Sequence, residues 1–228
     1  MNLTYYGHST FMVEVKGKKL LFNPFVTYNE LAKGIVDVND IKADYIFLSH
    51  GHQDHVADAV SIAKRTGATV VSVFEVCTWL QNQGVQNVHP MNTGGKWAFD
   101  FGVVKAVVAQ HSSSFPDGSY AGNPVGFVFK TDEGNFYYSG DTALTLDMQL
   151  VPDFATLAFA VFPIGDDFTM GAEDAVKAAH LVKTKVVVGV HYDTFGFIKI
   201  DKAKTRALFE QGGVKLELPA IGETIQPK

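Results

Sequence analysis

Short apolar blocks broken by glycine open the chain: Leu3–Tyr6, Thr10–Val15 and Lys19–Phe22, with Gly7 and Gly17 between them. Blocks of this length with local alternation predict a β-meander, which Asn23-Pro24 stops. From Tyr45 the pattern becomes strand, loop and helix. Tyr45–Leu48 is an apolar run too short for a helix, whereas Ala57–Thr66 carries helical spacing at Ala59, Ile62 and Ala63 and ends at Gly67. Thr69–Val73 predicts a strand, and Glu75–Gln83 a helix that stops before Gly84. A second β block follows in Lys96–Phe99, Val103–Ala109, Pro124–Lys130 and Asn135–Ser139, with Asp132-Glu133-Gly134-Asn135 as a turn. The last third alternates again: strand Phe159–Phe162, helix Ala172–Leu181, strand Lys185–Val190, helix Lys202–Gln211 and strand Lys215–Leu218.

A β block followed by α/β units therefore occurs twice. The class this predicts is α/β, as a four-layer αββα sandwich of two packed mixed β-sheets with outer helices. No linker rich in Pro, Gly or Ser divides the chain, so residues 1–228 read as one domain. Composition supplies the core, since 46% of residues are apolar and 19% charged, and no tract has the bias of a disordered segment. The 18 Phe, 8 Tyr and 2 Trp exceed what a minimal core needs. Phe25, Tyr28, Phe115, Tyr120, Phe168, Phe195 and Phe197 fall in loops, where they either wall a pocket or pack beneath the loops.

Charge narrows the partners. The net charge is −5 and no basic stripe occurs; Lys16-Gly17-Lys18-Lys19 reads as a hairpin turn, so a nucleic-acid partner is not expected. No apolar run approaches the ~20 residues of a membrane span, and Met1-Asn2-Leu3-Thr4 has no signal-peptide pattern. The expected setting is cytoplasmic. Cys77, the only cysteine, reads as a small buried hydrophobe.

The chemistry lies at strand ends. Tyr45–Ser49 runs into His50, Val103–Gln110 into His111, Phe136–Gly140 into Asp141 and Val186–Val190 into His191. Rigid apolar strands deliver side chains to a common cleft at their ends. His50-Gly51-His52-Gln53-Asp54-His55 adds three imidazoles and a carboxylate in one loop, a donor set suited to Zn²⁺, Mn²⁺, Ni²⁺ or Fe²⁺. A surface loop with Asp54 capping the next helix is the plain alternative, but this density after a buried strand argues against it. One metal cannot easily use all these groups, and the count points to two.

Ser49-His50-Gly51-His52-Gln53-Asp54-His55 fits the pattern His-x-His-x-Asp-His at every fixed position, with His111, Asp141 in Ser139-Gly140-Asp141-Thr142, and His191 following in order. In these residues the whole chain resembles the metallo-β-lactamase superfamily. Tyr6-Gly7-His8-Ser9 and Phe168-Thr169-Met170-Gly171 resemble its small bacterial metal-dependent hydrolases, similar to the ascorbate-6-phosphate lactonases. The resemblance implies a metallo-β-lactamase-like fold and two divalent ions, Zn²⁺ first among them. His50, His52 and His111 would hold one ion, and Asp54, His55 and His191 the other. Asp141 would bridge them beside a shared water or hydroxide. Such a pair activates water for attack on carbonyl carbon or phosphorus, so the expected activity is hydrolysis of an ester, lactone or phosphodiester-type bond of a small molecule, lactonase-like first. Asp54 would also orient the nucleophile or take its proton. The resemblance leaves a homo-oligomer open.

Some residues depart from the pattern. Asn23 stands where relatives commonly carry Asp, and Asp166-Asp167 stand where Gly and Asn are expected, adding acids that disfavour an anionic substrate. Asp193 adds another acid or caps a turn. His8, after the first strand, is a candidate catalytic residue, as a donor to a ligand or a substrate contact, against a purely structural histidine. His89 and His180 read as structural. Competing functions are a phosphodiesterase or nuclease-like hydrolase, a di-iron redox protein, which lacks its flavin domain here, and a non-catalytic metal-binding protein, which the open, cysteine-free donor set disfavours.

Overall fold

The computed structural model describes residues Met1–Lys228. One seven-stranded sheet is built from β1 (Asn2–Gly7), β2 (Thr10–Val15), β3 (Lys18–Phe22), β4 (Tyr45–Phe47), β5 (Thr69–Ser72) and β6 (Val88–Pro90), with the C-terminal β14 (Thr224–Ile225) on the free edge of β1. The other holds β7 (Lys96–Phe99), β8 (Gly102–Val108), β9 (Val125–Lys130), β10 (Phe136–Tyr138), β11 (Phe159–Pro163), β12 (Val186–Val190) and β13 (Lys215–Glu217) in sequence order. Each sheet begins antiparallel and turns parallel, after β3 in the first and after β10 in the second. The helices are α1 (Gln53–Val56), α2 (Ala59–Thr66), α3 (Phe74–Asn82), α4 (Val151–Phe154), α5 (Ala172–Leu181) and α6 (Lys202–Gln211). The mixed-sheet α/β sandwich expected of the pattern is what the chain forms.

The two-residue period of a strand explains the layers. In the second sheet Phe127, Phe129, Phe136, Tyr138, Phe159, Val161, Val186 and Val188 face a core shared with the first sheet. The residues between them, Val128, Tyr137, Ala160, Phe162 and Val187, join Ala175, Ala178 and Ala179 of α5 and Phe209 of α6. Every one of these strand positions is apolar because both faces are covered. Aromatic rings carry the inter-sheet layer: Phe129 stacks on Phe136 at 4.2 Å, and Phe47 meets Phe127 and Phe129 edge-on at 5.3 and 4.9 Å. Such pairs add about 0.5–1.5 kcal/mol each beyond burial. Much of the aromatic excess is thus structural.

Three local expectations change. The helix expected over Ala57–Thr66 starts later, as α2 at Ala59, with the separate turn α1 before it, and Asp58 between them turns inward. Its carboxylate takes the N–H groups of Val26 and Thr27 at 2.6 and 3.0 Å and the Thr27 hydroxyl, tying the helix start to the loop after β3. β6 and β14 carry no local period. They exist through pairing, Val70 with Val88 and Leu3 with Ile225. Pro124 lies outside β9, which starts at Val125, since proline has no N–H for the ladder.

Candidate metal centre

Strand ends from both sheets converge on one point. His8 follows β1, Asn23 follows β3, Ser49 and His50 lie just past β4, and His191 follows β12 directly. Backbone bonds stitch the sheets together here: His191 N–H donates to His8 O at 3.0 Å, and Val125 N–H to Ser49 O at 2.9 Å. The approach is close enough to require glycine at 140, where φ is +64° and a Cβ would stand 2.7 Å from Ser49 Cβ and 2.8 Å from Val125 O. His8, Asn23, Asp166, Asp167, His191 and Asp193 also adopt positive φ. That conformation is uncommon outside glycine, and such strain collects at functional sites.

All seven ligand candidates meet. Their donor atoms form three overlapping groups, each with mutual separations within 4.8 Å: His50, His52 and His111; Asp54, His55 and His191 together with His8; and His50, His55 and Asp141. Asp141 sits between the first two. Its Oδ2 lies 3.1 Å from His55 Nε2, 3.0 Å from His191 Nε2 and 3.8 Å from His111 Nε2. Asp54 Oδ2 lies 2.9 Å from His8 Nε2, 3.4 Å from His55 Nε2 and 3.7 Å from His191 Nε2.

The residues fit divalent cations. Asp141 Oδ1 and His55 Nε2 are buried without hydrogen-bond partners, an arrangement that is costly unless something else completes it. Burial, reinforced by neighbouring imidazoles, holds His50 well below its ordinary pKa and lowers His52 and His111, which keeps them in the neutral form a cation needs. Burial opposes ionisation of Asp54 and Asp141, yet the surrounding imidazoles outweigh it and hold both carboxyls far below the usual range. Burial likewise disfavours charge on His55 and His191, but the two aspartates overcome it and raise them to about 10 and about 9. A cation would displace those protons.

Asn23, whose neutral amide put a contact to a ligand in doubt, is the hub of a supporting layer. The Asn23 amide nitrogen lies 2.7 Å from His55 Nδ1, 2.8 Å from Ser49 Oγ and 2.7 Å from the Tyr138 hydroxyl, and its oxygen accepts Ser49 N–H at 2.9 Å. Ser49 Oγ in turn reaches His50 Nδ1 at 2.9 Å. One neutral amide thus braces His55 directly and His50 through a serine. Tyr138 belongs to an apolar strand and Ser49 reads as a motif flank, so neither had a sequence signal.

His8 is fully enclosed, with Nε2 on Asp54 and Nδ1 3.0 Å from Thr194 Oγ1. Asp54 accepts His8 Nε2–H, the one proton of the neutral ring, so Nδ1 faces the Thr194 hydroxyl as an acceptor; that hydroxyl also lies 3.3 Å from Tyr192 O. Burial and the neighbouring His191 charge lower His8 to about 4. The ring is sealed behind Asp54 and does not line the cavity, which leaves no room for the substrate contact that was one of its expected roles. His89 packs against Trp97 and Phe99, and His180 donates to Gly212 O at 2.8 Å.

A cavity of about 740 Å³ opens over the centre, lined by His52, Asp54, His111, Asp141 and His191 and by Phe25, Tyr28, Phe168 and Phe195. The other loop aromatics divide differently. Phe115 stacks on Trp79 at 4.9 Å in the core, Tyr120 is exposed, and Phe197 is exposed beside Phe168. Asp167 lines the cavity. Asp166 instead closes its own loop by accepting Asp167 N–H at 2.9 Å. Asp193 caps the turn at Ile200 N–H and pairs with Lys202 at 3.2 Å, so it is not an acid of the cleft.

Residues 2–191 match the Beta-lactamase superfamily domain. The chain is 50% identical to a UPF0173 metal-dependent hydrolase of Christiangramia forsetii over 226 residues, covering 99% of this chain and 100% of that protein. It is 49% identical, with the same coverage, to a UPF0173 metal-dependent hydrolase of Flavobacterium johnsoniae. Among solved structures it is similar to Igni18, a metallo hydrolase from the archaeon Ignicoccus hospitalis, with a TM-score of 0.88, 34% identity and coverage of 98% of this chain and 97% of that one.

Proposed function

The chain belongs to the metallo-β-lactamase superfamily, among its metal-dependent hydrolases, and from that premise we propose that it hydrolyses an ester or lactone bond of a small molecule with two divalent ions. His50, His52 and His111 would hold one ion, and Asp54, His55 and His191 the other, with Asp141 between them. The observation that carries this reading is the overlap of the three donor groups on His50, His55 and Asp141. Bound there, divalent ions supply Lewis acidity and bring the pKa of water towards neutrality.

The chain's own groups do the positioning. Asp54 is a quarter exposed, lines the cavity and is held ionised, so it is the carboxylate able to orient an attacking water or take its proton. His8 and Thr194 fix its rotamer from behind. Asp141 is almost fully buried and serves the ions rather than the substrate. Asn23 and Ser49 fix the ring planes of His55 and His50, the kind of outer support whose loss costs about 10–100-fold in affinity or activity.

The test is metal content and turnover together. Protein reconstituted separately with Zn²⁺, Mn²⁺ and Ni²⁺ is assayed against a panel of lactones and esters, with elemental analysis of each sample. We expect two equivalents per chain in the native protein, and at most one with no turnover in His52→Ala. Native metal content and activity in that variant would sink the assignment.

A further inference from the structure

We propose that the substrate is electrically neutral and carries an aromatic or bulky apolar arm beside the scissile bond, so that phosphorylated or carboxylated compounds are poor substrates. This rests on the hydrolase reading above and adds the substrate class.

Beyond the ions of the proposed centre, the cavity offers an anion no cationic side chain. Its lining has no Lys or Arg, and apart from the ligand candidates its one acidic residue is Asp167. Phosphate and carboxylate recognition ordinarily relies on Arg or Lys, or on free backbone N–H groups. The consecutive positive-φ residues Asp166 and Asp167 would suit such a backbone nest, but its donors are already used. Asp167 N–H goes to Asp166 Oδ1 at 2.9 Å, and Phe168 and Thr169 N–H go to Asp166 O at 2.6 and 3.4 Å. Of the lysines after His191, Lys199 lines a different cavity and Lys202 is committed to Asp193 and the Tyr192 ring. Asp54 and Asp141 would offset half of the charge that two divalent ions bring, and Asp167 adds a further carboxylate to the lining. The remaining charge is needed for the oxygen on which charge develops during hydrolysis.

The walls argue for the apolar arm. Tyr28, Phe168 and Phe195 line the cavity while remaining 62%, 51% and 38% exposed. Phe25 lies 6.3 Å from Phe195 and Phe197 lies 6.1 Å from Phe168, which makes one aromatic rim. Exposed aromatic surface around a concave site marks where a ligand's apolar surface is buried, and about 740 Å³ suits a small molecule and not a polymer.

The experiment uses metal-reconstituted protein and matched pairs: a γ-lactone with a phenylalkyl arm, and the same lactone with a phosphomonoester or carboxylate on that arm. The expected result is kcat/KM at least tenfold higher for the neutral member. Asp167→Asn, which tolerates the same positive φ, should narrow the ratio by roughly three- to tenfold, the effect of one unit charge at about 8 Å in a half-solvated cleft. Equal or better turnover of the charged member overturns the inference. If neither lactone is turned over, the hydrolase reading is the one in question. The substrate class is then judged by calorimetric binding of N-phenethylacetamide and its ring-sulfonated counterpart, where tighter binding of the neutral amide supports the inference and equal or weaker binding overturns it.

Discussion

Gly51 separates two candidate ligands, His50 and His52, in space already filled. A Cβ at this position would overlap Ala121 Cβ and stand 3.2–3.3 Å from two atoms of the Phe115 ring. Carbon atoms in contact rest about 3.5–4.0 Å apart, so Gly51→Ala forces a shift of roughly an ångström between the ligand loop and Ala121. Phe115 cannot absorb it, being stacked on Trp79 with an interplanar angle of 14°. Overpacking of this kind costs about 1–3 kcal/mol, or roughly 2–12 °C in Tm for a chain of this size. The ligands feel it more sharply, because metal–ligand distances tolerate only about 0.2 Å. A misplacement of about 1 Å at reacting groups costs on the order of 100-fold in rate. We therefore expect Gly51→Ala to fold with a modestly lower Tm by calorimetry, to lose the ion assigned to His50, His52 and His111 by elemental analysis, and to lose about two orders of magnitude in kcat/KM. Adding Ala121→Gly removes the overlapping atom and should restore most of the metal and activity. Native metal content and kinetics in Gly51→Ala, or no recovery in a well-folded double variant, would refute the steric argument.

Two further outcomes follow from the same geometry. Asn23→Ala removes the amide that braces His55 and, through Ser49, His50, so affinity for Zn²⁺ should fall by about 10–100-fold, and a calorimetric titration showing native affinity would count against the bracing role. Chelated protein should be most stable near pH 6.5: the raised His55 and His191 contribute stability that is full below about 6.5 and is lost as pH climbs through about 9 and about 10, whereas the lowered His8 contributes above 6.5 and loses that contribution as pH falls to about 4, so denaturant titrations that stay flat from pH 6 to 10 would contradict this charge arrangement.

The periodic parts of the fold were legible because burial on two faces leaves a simple record. Val125–Lys130 and Val186–Val190 are apolar at nearly every position, and each alternate residue serves a different layer. β6 and β14 left no such record, since Val88–Pro90 and Thr224–Ile225 are too short to show a period and are defined by their partners. The break at Asp58 was hidden for another reason: a carboxylate inside a helical pattern reads as a solvent-facing position until the loop it binds is in place.

The candidate site divides along the same line. His50, His111, Asp141 and His191 stand at or just beyond strand ends, and a strand's register fixes where its end points, so their convergence could be read from spacing alone. Asp166 and Asp167 show the opposite case. As neighbours in the sequence they look like one acidic pair, but consecutive positive φ values of 62° and 56° send them apart. Asp166 consumes the loop's N–H groups, and Asp167 faces the cavity. Their joint effect is to remove the donors an anion needs and to add a charge that repels it, which no count of acids conveys. Reaction class thus resides in elements whose geometry has a period, and substrate class in loops whose geometry has none.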